Sequence, residues 1–224
     1  MAARLVAFDL DGTLADSLPG IAAAMAALED ELGLPHCTAD QVRDWIGRGV
    51  TRLVERRLQA AGMAASSSRV REAETFFMAA YRETSVTGVS LFPGVADALD
   101  TLGAAGFRLA CITNKPQELT GPVLETLGIR EHFAVVLGGD SLARKKPDAL
   151  PLLHAAHAVG AASTASTMVG DSETDVRAAR AAGFVAVAVD YGYNHGRPIR
   201  ESRPDHIISS FDELPGLIRR IEPH

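Results

Sequence analysis

The stretch DLDGTL, residues 9–14, follows an apolar run at residues 5–8 that predicts a short buried strand. Asp9 and Asp11 are two positions apart, so their carboxylates leave an extended backbone on the same side. Paired negative charge at the end of a buried strand is costly unless a cation or an anion-handling reaction holds it there. Asp and Gly are also ordinary turn residues, so a plain strand-ending turn is the alternative at this point.

Length and composition argue against a nucleic-acid-binding or membrane protein. The 224 residues suffice for one large domain or for one domain with an insertion, and 47% of them are hydrophobic. The formal net charge of −6 lacks the basic excess typical of nucleic-acid binders. No apolar stretch reaches the length needed to span a bilayer. With two cysteines only, Cys37 and Cys111, the chain is typical of a reducing compartment, and we expect a cytoplasmic protein, monomeric or homodimeric.

Short apolar runs alternate with helical patterns along most of the chain. Six runs predict strands, at residues 5–8, 108–113, 134–137, 167–169, 185–189 and 206–208. Four patterns between them predict helices, at residues 95–105, 118–127, 149–159 and 174–182. Runs of Val, Ile and Ala without alternation are typical of strands that are covered on both faces. The chain therefore predicts an α/β fold with a doubly wound, mainly parallel, Rossmann-like sheet.

One segment, residues 16–88, interrupts this alternation. It contains no strand pattern, and from Ile21 onward its apolar residues recur at helical spacing. The segment follows directly after the first predicted strand and the residues that end it. We therefore predict an all-helical unit at residues 16–88, inserted into an α/β core domain formed by residues 1–15 and 89–224.

Polar residues follow the later strand runs, as they follow the first. In doubly wound sheets ligands bind beyond the carboxyl ends of the strands, so the residues at these ends are the candidates for a site. Thr113 and Asn114 end the second run, Lys146 follows the third, and Asp171 follows the fourth at the start of a helix. Carboxylates, a hydroxyl, an amide, a lysine and a helix N-terminus thus converge on one edge of the predicted sheet.

This set of groups suits phosphoryl transfer. A hard cation such as Mg²⁺ takes oxygen ligands, usually one or two carboxylates together with the substrate phosphate and waters. One carboxylate can attack phosphorus and form an aspartyl phosphate. A second carboxyl group can protonate the leaving oxygen and later activate water. A hydroxyl, an amide and a lysine can hold the remaining phosphoryl oxygens as their charge changes.

The same residues resemble the four motifs of the haloacid dehalogenase superfamily. In order, they are DLDGT at 9–13, TN at 113–114, KP at 146–147 and GDSETD at 170–175. The resemblance covers essentially the whole chain and is to a phosphatase with a helical cap, which residues 16–88 would form. Dehalogenase relatives lack the second aspartate of the first motif, so its presence here favours phosphate chemistry.

The resemblance implies roles for the aspartates. Asp9 is the expected nucleophile, and Asp11 is the expected general acid and base. Mg²⁺ is expected to bind Asp9, the backbone carbonyl of Asp11, and Asp171. The cofactor implied is therefore Mg²⁺, held at the ends of the first and fourth strands.

The resemblance also implies which residues bind the phosphoryl group. They are Thr113, Asn114 and Lys146. Lys146 is preferred over Lys145 because the family's lysine immediately precedes proline. Asp175 and Ser172 are expected to support the metal ligands or Lys146 from a second layer, without touching the substrate.

A closer resemblance is to bacterial phosphoglycolate phosphatases. It rests on three segments: WIGRG at 45–49, LFPGV at 91–95 and YGYNHG at 191–196. It implies a small phosphorylated metabolite as the partner of this chain. Gly47 and Gly49 are expected to let backbone N–H groups approach the substrate, and Arg48 to pair with the carboxylate of 2-phosphoglycolate. The alternative for Arg48 is an ion pair on a solvated helix face.

Three functions stay open at this point. The first is Mg²⁺-dependent hydrolysis of 2-phosphoglycolate, or of another small phosphate ester, through an aspartyl phosphate. The second is a sugar phosphomutase of the same fold, whose cap must exclude water while the substrate turns around. The third is a binding protein without catalysis. Such a protein would normally lack Asp9, Asp11 or Asp171, and all three are present.

Overall fold

A computed structural model describes residues 3–221, and a parallel sheet lies at the centre of this part of the chain. Its strands are β1 (Ala3–Phe8), β2 (Ala15–Asp16), β3 (Ser90–Leu91), β4 (Arg108–Ile112), β5 (Phe133–Leu137), β6 (Ala161–Gly170), β7 (Val185–Val189) and β8 (His206–Ile208). The large sheet has the order β5-β4-β1-β6-β7-β8, and every neighbouring pair in it is parallel. β1 therefore lies inside the sheet, with its carboxyl end between those of β4 and β6.

Helices cover both faces of this sheet. The described helices are α1 (Leu18–Glu31), α2 (Ala39–Trp45), α3 (Val50–Ala60), α4 (Ser67–Thr84), α5 (Val95–Ala104), α6 (Gln117–Thr126), α7 (Leu150–Val159), α8 (Glu173–Ala182) and α9 (Leu214–Arg220). α5, α6 and α9 pack on the face that carries Phe8, whereas α7 and α8 pack on the face that carries Ala7. Both faces of β1 are thus buried, which explains its unbroken apolar run. The predicted doubly wound α/β fold is confirmed.

β6 is longer than its apolar run indicates. The sequence predicts a strand at residues 167–169, and the structure extends it from Ala161 to Gly170. The first half of β6 contains Ser and Thr and alternates between exposed and half-buried positions, so no apolar run marks it. Pairing of Ala161 with Ala3 of β1, rather than burial, extends the strand.

The four helices α1–α4, which we call the cap, pack around a third hydrophobic cluster, separate from the two that cover the sheet. Met25, Leu58 and Phe77 lie in this cluster, together with Leu119 and Tyr193 from the α/β core domain. The cap therefore packs directly against the domain that carries the sheet. Among the described helices none has both the length and the apolar character that crossing a bilayer requires.

The chain enters and leaves the cap through a short antiparallel ladder. Ala15 pairs with Leu91, and Asp16 pairs with Ser90. Two-residue strands carry no periodic pattern, so the sequence did not predict β2 and β3. The ladder brings the start and the end of the cap to the same place, beside the carboxyl end of β1.

Candidate active site

Three neighbouring strands end in buried polar residues. Asp9 directly follows β1, Thr113 follows β4 and Asp171 follows β6, and each of these residues is buried. The backbone continues the sheet pairing at this edge, because Asp9 N donates to Val169 O at 2.9 Å and Thr113 N to Leu137 O at 2.9 Å. The parallel sheet thus brings together the side chains that the sequence placed at separate strand ends.

Lys146 lies between two carboxylates. Its Nζ is 3.0 Å from Oδ1 of Asp9 and 2.7 Å from Oδ1 of Asp175, and its side chain is 1% exposed. Burial lowers the pKa of Lys146, but the charges of Asp175 and Asp9 outweigh that effect and raise it above 10.5. Lys146 is therefore a fixed ammonium group beside Asp9. Lys145, the alternative lysine, is exposed.

Asp9 is also held by the backbone. Leu10 N donates to Oδ1 of Asp9 at 2.7 Å, so this oxygen accepts from both Leu10 and Lys146. Burial, opposed by the charge of Lys146, raises the pKa of Asp9 well above its ordinary value of 3.8. The carboxyl group of Asp9 is thereby fixed in one orientation at the tip of the central strand.

Asp171 is oriented by two donors from different parts of the chain. Thr13 Oγ1 donates to its Oδ1 at 2.9 Å, and Tyr193 N donates to its Oδ2 at 2.7 Å. Burial, followed by the charge of Asp175, raises the pKa of Asp171 to about 7. Two glycines allow this close packing, because a Cβ at Gly12 or Gly192 would lie 2.5 Å or 2.1 Å from atoms of Asp171.

Asp175 is occupied by donors on both oxygens. Lys146 contacts Oδ1, while Ser172 Oγ donates to Oδ2 at 2.6 Å and Ser172 N at 3.1 Å. Ser172 and Asp175 form a capping box at the start of α8. The capping box fixes the N-terminus of this helix, which Asp171 directly precedes. Asp175 and Ser172 thus lie behind Lys146 and Asp171, and the supporting role that the resemblance implies for them stays a prediction.

The three buried aspartates fit a divalent cation. One carboxylate oxygen from each of Asp9, Asp171 and Asp175 can be chosen so that all lie within 4.8 Å of one another. Hard divalent cations prefer such oxygen donors, and their charge offsets the repulsion among buried carboxylates. The side chain of Asp11 lies outside this cluster, and Asp175 lies within it. The resemblance implies Asp9 and Asp171 as cation ligands, and the structure places both carboxylates in this cluster.

A pocket opens between this edge of the sheet and the cap. Its lining residues are Asp9, Asp11, Ile21, Ile46, Gly47, Gly49, Val50, Leu53, Tyr81, Thr113, Asn114, Lys115 and Pro116. Both predicted catalytic aspartates therefore face a common space, together with two of the three predicted phosphoryl-binding residues. The cap contributes apolar side chains and two glycines.

Asn114 connects the core domain to the cap. Its Nδ2 donates to Gly47 O at 3.0 Å and to Lys146 O at 3.0 Å. Gly47 and Gly49 have φ angles of +106° and +85°, a backbone conformation that side chains disfavour. This conformation lets the loop between α2 and α3 line the pocket with main chain.

Arg48 points away from the pocket. Its Nη2 lies 3.5 Å from Oε2 of Glu173 on α8, and its side chain is 39% exposed. The structure thus brings Gly47 and Gly49 to the pocket but leaves the guanidinium of Arg48 on the outer side of the loop. The contact with Glu173 is an ion pair between cap and core domain, not the local helix pair considered from the sequence.

Lys115 is a pocket residue that the sequence did not single out. Its side chain is 0% exposed, and its Nζ lies 3.4 Å from Oδ1 of Asp11. The same ammonium contacts the hydroxyl of Tyr81 on α4 and lies 4.3 Å from the centre of the Tyr81 ring. The only signal in the sequence is its place after Thr113 and Asn114, and a lysine there is equally typical of a solvated turn.

Comparison with known proteins identifies the family. A family model described as haloacid dehalogenase-like hydrolase matches residues 6–189. The chain belongs to the haloacid dehalogenase-like hydrolases. Two bacterial relatives are named phosphoglycolate phosphatase. That of Nitrosococcus oceani is 42% identical over 217 residues, and that of Chromobacterium violaceum is 44% identical over 217 residues; each alignment covers 96% of both chains.

A solved structure has the same fold as this haloacid dehalogenase-like hydrolase. It is described as a predicted phosphoglycolate phosphatase from Haemophilus somnus 129pt, and it superposes with a TM-score of 0.91 at 33% identity. The superposition covers 96% of this chain and 97% of the other. The family predicted from the four motifs is therefore confirmed.

Proposed function

We propose that this hydrolase is a phosphatase that cleaves 2-phosphoglycolate to glycolate and phosphate. The observation that carries the proposal is the buried Asp9, held by Lys146 and facing the same pocket as Asp11. The names of its relatives, with 42% and 44% identity over nearly the whole chain, support the same substrate. We further propose that it acts in the cytoplasm on small phosphorylated metabolites, as a monomer or a homodimer.

The proposed cofactor is Mg²⁺. Asp9, Asp171 and the backbone carbonyl of Asp11 would hold it, with Asp175 and Ser172 fixing the helix end behind Asp171. When bound, the ion supplies positive charge to the phosphoryl oxygens and lowers the repulsion between the substrate and the carboxylates. The buried carboxylate oxygens are donors of the type that Mg²⁺ takes, which supports this choice.

In the first half of the proposed reaction Asp9 attacks phosphorus. A bond forms between a carboxylate oxygen of Asp9 and phosphorus, and the bond from phosphorus to the ester oxygen breaks. Asp11 transfers its proton to that oxygen, so glycolate leaves with a protonated hydroxyl group and not as an alkoxide. Thr113, Asn114 and Lys146 hold the remaining phosphoryl oxygens during the transfer.

In the second half a water molecule releases the phosphate. Asp11, now a carboxylate, accepts a proton from the water as the water oxygen attacks the phosphorus of the aspartyl phosphate. The bond between Asp9 and phosphorus breaks, and both aspartates return to their starting states. Lys146 stays charged throughout, because two carboxylates hold its proton.

A survey of small phosphate esters tests the function. We expect kcat/KM to be highest for 2-phosphoglycolate among a set that includes ethyl phosphate, p-nitrophenyl phosphate and β-glucose 1-phosphate. The Asp9→Asn variant should lose turnover and phosphate incorporation into the protein, whereas the Asp97→Asn variant, at an exposed position on α5, should retain both. Turnover by Asp9→Asn would refute the mechanism. Conversion of β-glucose 1-phosphate to glucose 6-phosphate would instead identify a mutase.

A further inference from the structure

The substrate proposed above carries two anionic groups that must be bound at the same time. Asp9 and Lys146 mark where the phosphoryl group reacts. The carboxylate of 2-phosphoglycolate is one carbon atom away from the ester oxygen. A residue that binds this carboxylate must therefore lie within a few ångströms of the group that protonates the ester oxygen, which is Asp11.

Only one cationic side chain, among the described residues, lines the pocket that Asp11 faces. It is that of Lys115. Arg48, the residue expected from the sequence, pairs with Glu173 outside this pocket. Lys145 is exposed, and its Nζ lies beside Gly49 and does not line this pocket. The remaining cap residues at the pocket are apolar or glycine, apart from the hydroxyl of Tyr81.

Lys115 is placed where the substrate's geometry requires a cation. Its Nζ lies 3.4 Å from Oδ1 of Asp11, so the ammonium adjoins the group proposed to protonate the ester oxygen. The ammonium has three donors, and the contacts with Asp11 and with the Tyr81 hydroxyl account for two of them. The ring of Tyr81 lies against the same ammonium, so the charge is positioned before any ligand arrives.

We propose that Lys115 binds the carboxylate of the substrate and is the residue that makes the enzyme prefer phosphorylated hydroxy acids over simple phosphate esters. This inference rests on the proposed function. Tyr81 of the cap acts as a positioning residue, because its hydroxyl and its ring contact Lys115. Recognition of the acid group is thus performed by the core domain, with the cap holding the lysine in place.

The kinetic test compares two substrates that differ in the carboxylate. Lys115→Met keeps the length of the side chain and removes its charge. Because charge-assisted hydrogen bonds are worth more than neutral ones, we expect kcat/KM for 2-phosphoglycolate to fall at least tenfold more than kcat/KM for ethyl phosphate. In the control Lys145→Met, the ratio of kcat/KM for 2-phosphoglycolate to kcat/KM for ethyl phosphate should equal that of the unmodified enzyme. Equal losses on both substrates would overturn the proposal and make Lys115 a partner of Asp11 alone.

A binding measurement separates recognition from proton transfer. In the inert Asp9→Asn background, isothermal titration should show that Lys115→Met weakens binding of 2-phosphoglycolate at least tenfold and leaves binding of ethyl phosphate within about twofold. Unchanged binding of 2-phosphoglycolate would refute the role of Lys115. Should Lys115→Met fail to fold, Tyr81→Phe is the second variant, and it should lower the ratio of kcat/KM values in the same direction. A ratio unchanged by Tyr81→Phe would then refute the proposal.

Failure of this inference differs from failure of the proposed function. If the unmodified protein hydrolysed no phosphate ester, the function itself would be refuted. If it hydrolysed 2-phosphoglycolate with the expected preference, and that preference survived in Lys115→Met, only the assignment of Lys115 would be wrong.

Discussion

Asp171→Asn should make the metal-free protein more stable at neutral and alkaline pH. Burial raises the pKa of Asp171 from 3.8 to about 7. Between these values the folded protein binds a proton that the unfolded chain releases, so the free energy of unfolding falls as the pH rises through this window. At about 1.4 kcal/mol for each pH unit, the loss reaches roughly 4 kcal/mol above pH 7.

The substitution removes this titration while keeping the contacts. The amide oxygen of an asparagine can accept from Tyr193 N, and its nitrogen can donate to the hydroxyl of Thr13, the two partners that Asp171 has now. Urea unfolding in the presence of EDTA gives the free energy of unfolding at pH 5 and at pH 8. Over this interval we expect the unmodified protein to lose about 2–3 kcal/mol more than Asp171→Asn.

Two further measurements make this prediction decisive. Adding Mg²⁺ at pH 8 should stabilise the unmodified protein and have a smaller effect on Asp171→Asn. A ligand that binds only the folded protein stabilises it more, the tighter it binds, and the variant lacks one carboxylate of the proposed site. The Asp97→Asn control, on an exposed face, should retain the pH dependence of the unmodified protein. Identical pH dependence of Asp171→Asn and the unmodified protein in EDTA would refute the reasoning from burial.

Two other substitutions test the placement of residues around the pocket. Arg48→Ala should change KM for 2-phosphoglycolate by no more than about fivefold, because its half-exposed pair with Glu173 is worth at most about 1 kcal/mol. A tenfold rise in KM would place its guanidinium on the substrate. Gly192→Ala should lower both Tm and Mg²⁺ affinity, since its Cβ would lie 2.1 Å from Cβ of Asp171. Gly103→Ala on α5, where a Cβ meets nothing within 4 Å, is the matched control, and an equal loss there would contradict the steric argument.

The polar residues at the carboxyl ends of the strands were predictable from the sequence, because each of them directly follows an apolar run. Asp9, Thr113 and Asp171 lie at the ends of β1, β4 and β6, and parallel strands place their carboxyl ends on the same side. Lys146 could be placed near them from its motif alone. The family followed from the same residues, as the comparison with known proteins confirms. The catalytic roles of these residues stay predictions.

The contacts between cap and core domain were not predictable in the same way. Tyr81 and Lys115 are 34 positions apart and belong to different parts of the fold, so no local pattern relates them. The direction of Arg48 depends on Glu173, which lies on a helix far along the chain. β2 and β3 are too short to show a period. These features depend on how the cap packs against the core domain. Local patterns in a single sequence do not indicate which residues of two distant segments come into contact.

The ladder between β2 and β3 has a consequence for how such an enzyme can be altered. Since Ala15 pairs with Leu91, the two ends of the cap lie side by side. The two points where the cap joins the core domain are therefore separated only by the distance between two paired strands. A helical segment of another length or sequence can be joined at the same two positions without changing the path of β1 or β4. Such a replacement would also have to supply the contact of Tyr81 with Lys115 and the packing of the cap on Leu119 and Tyr193.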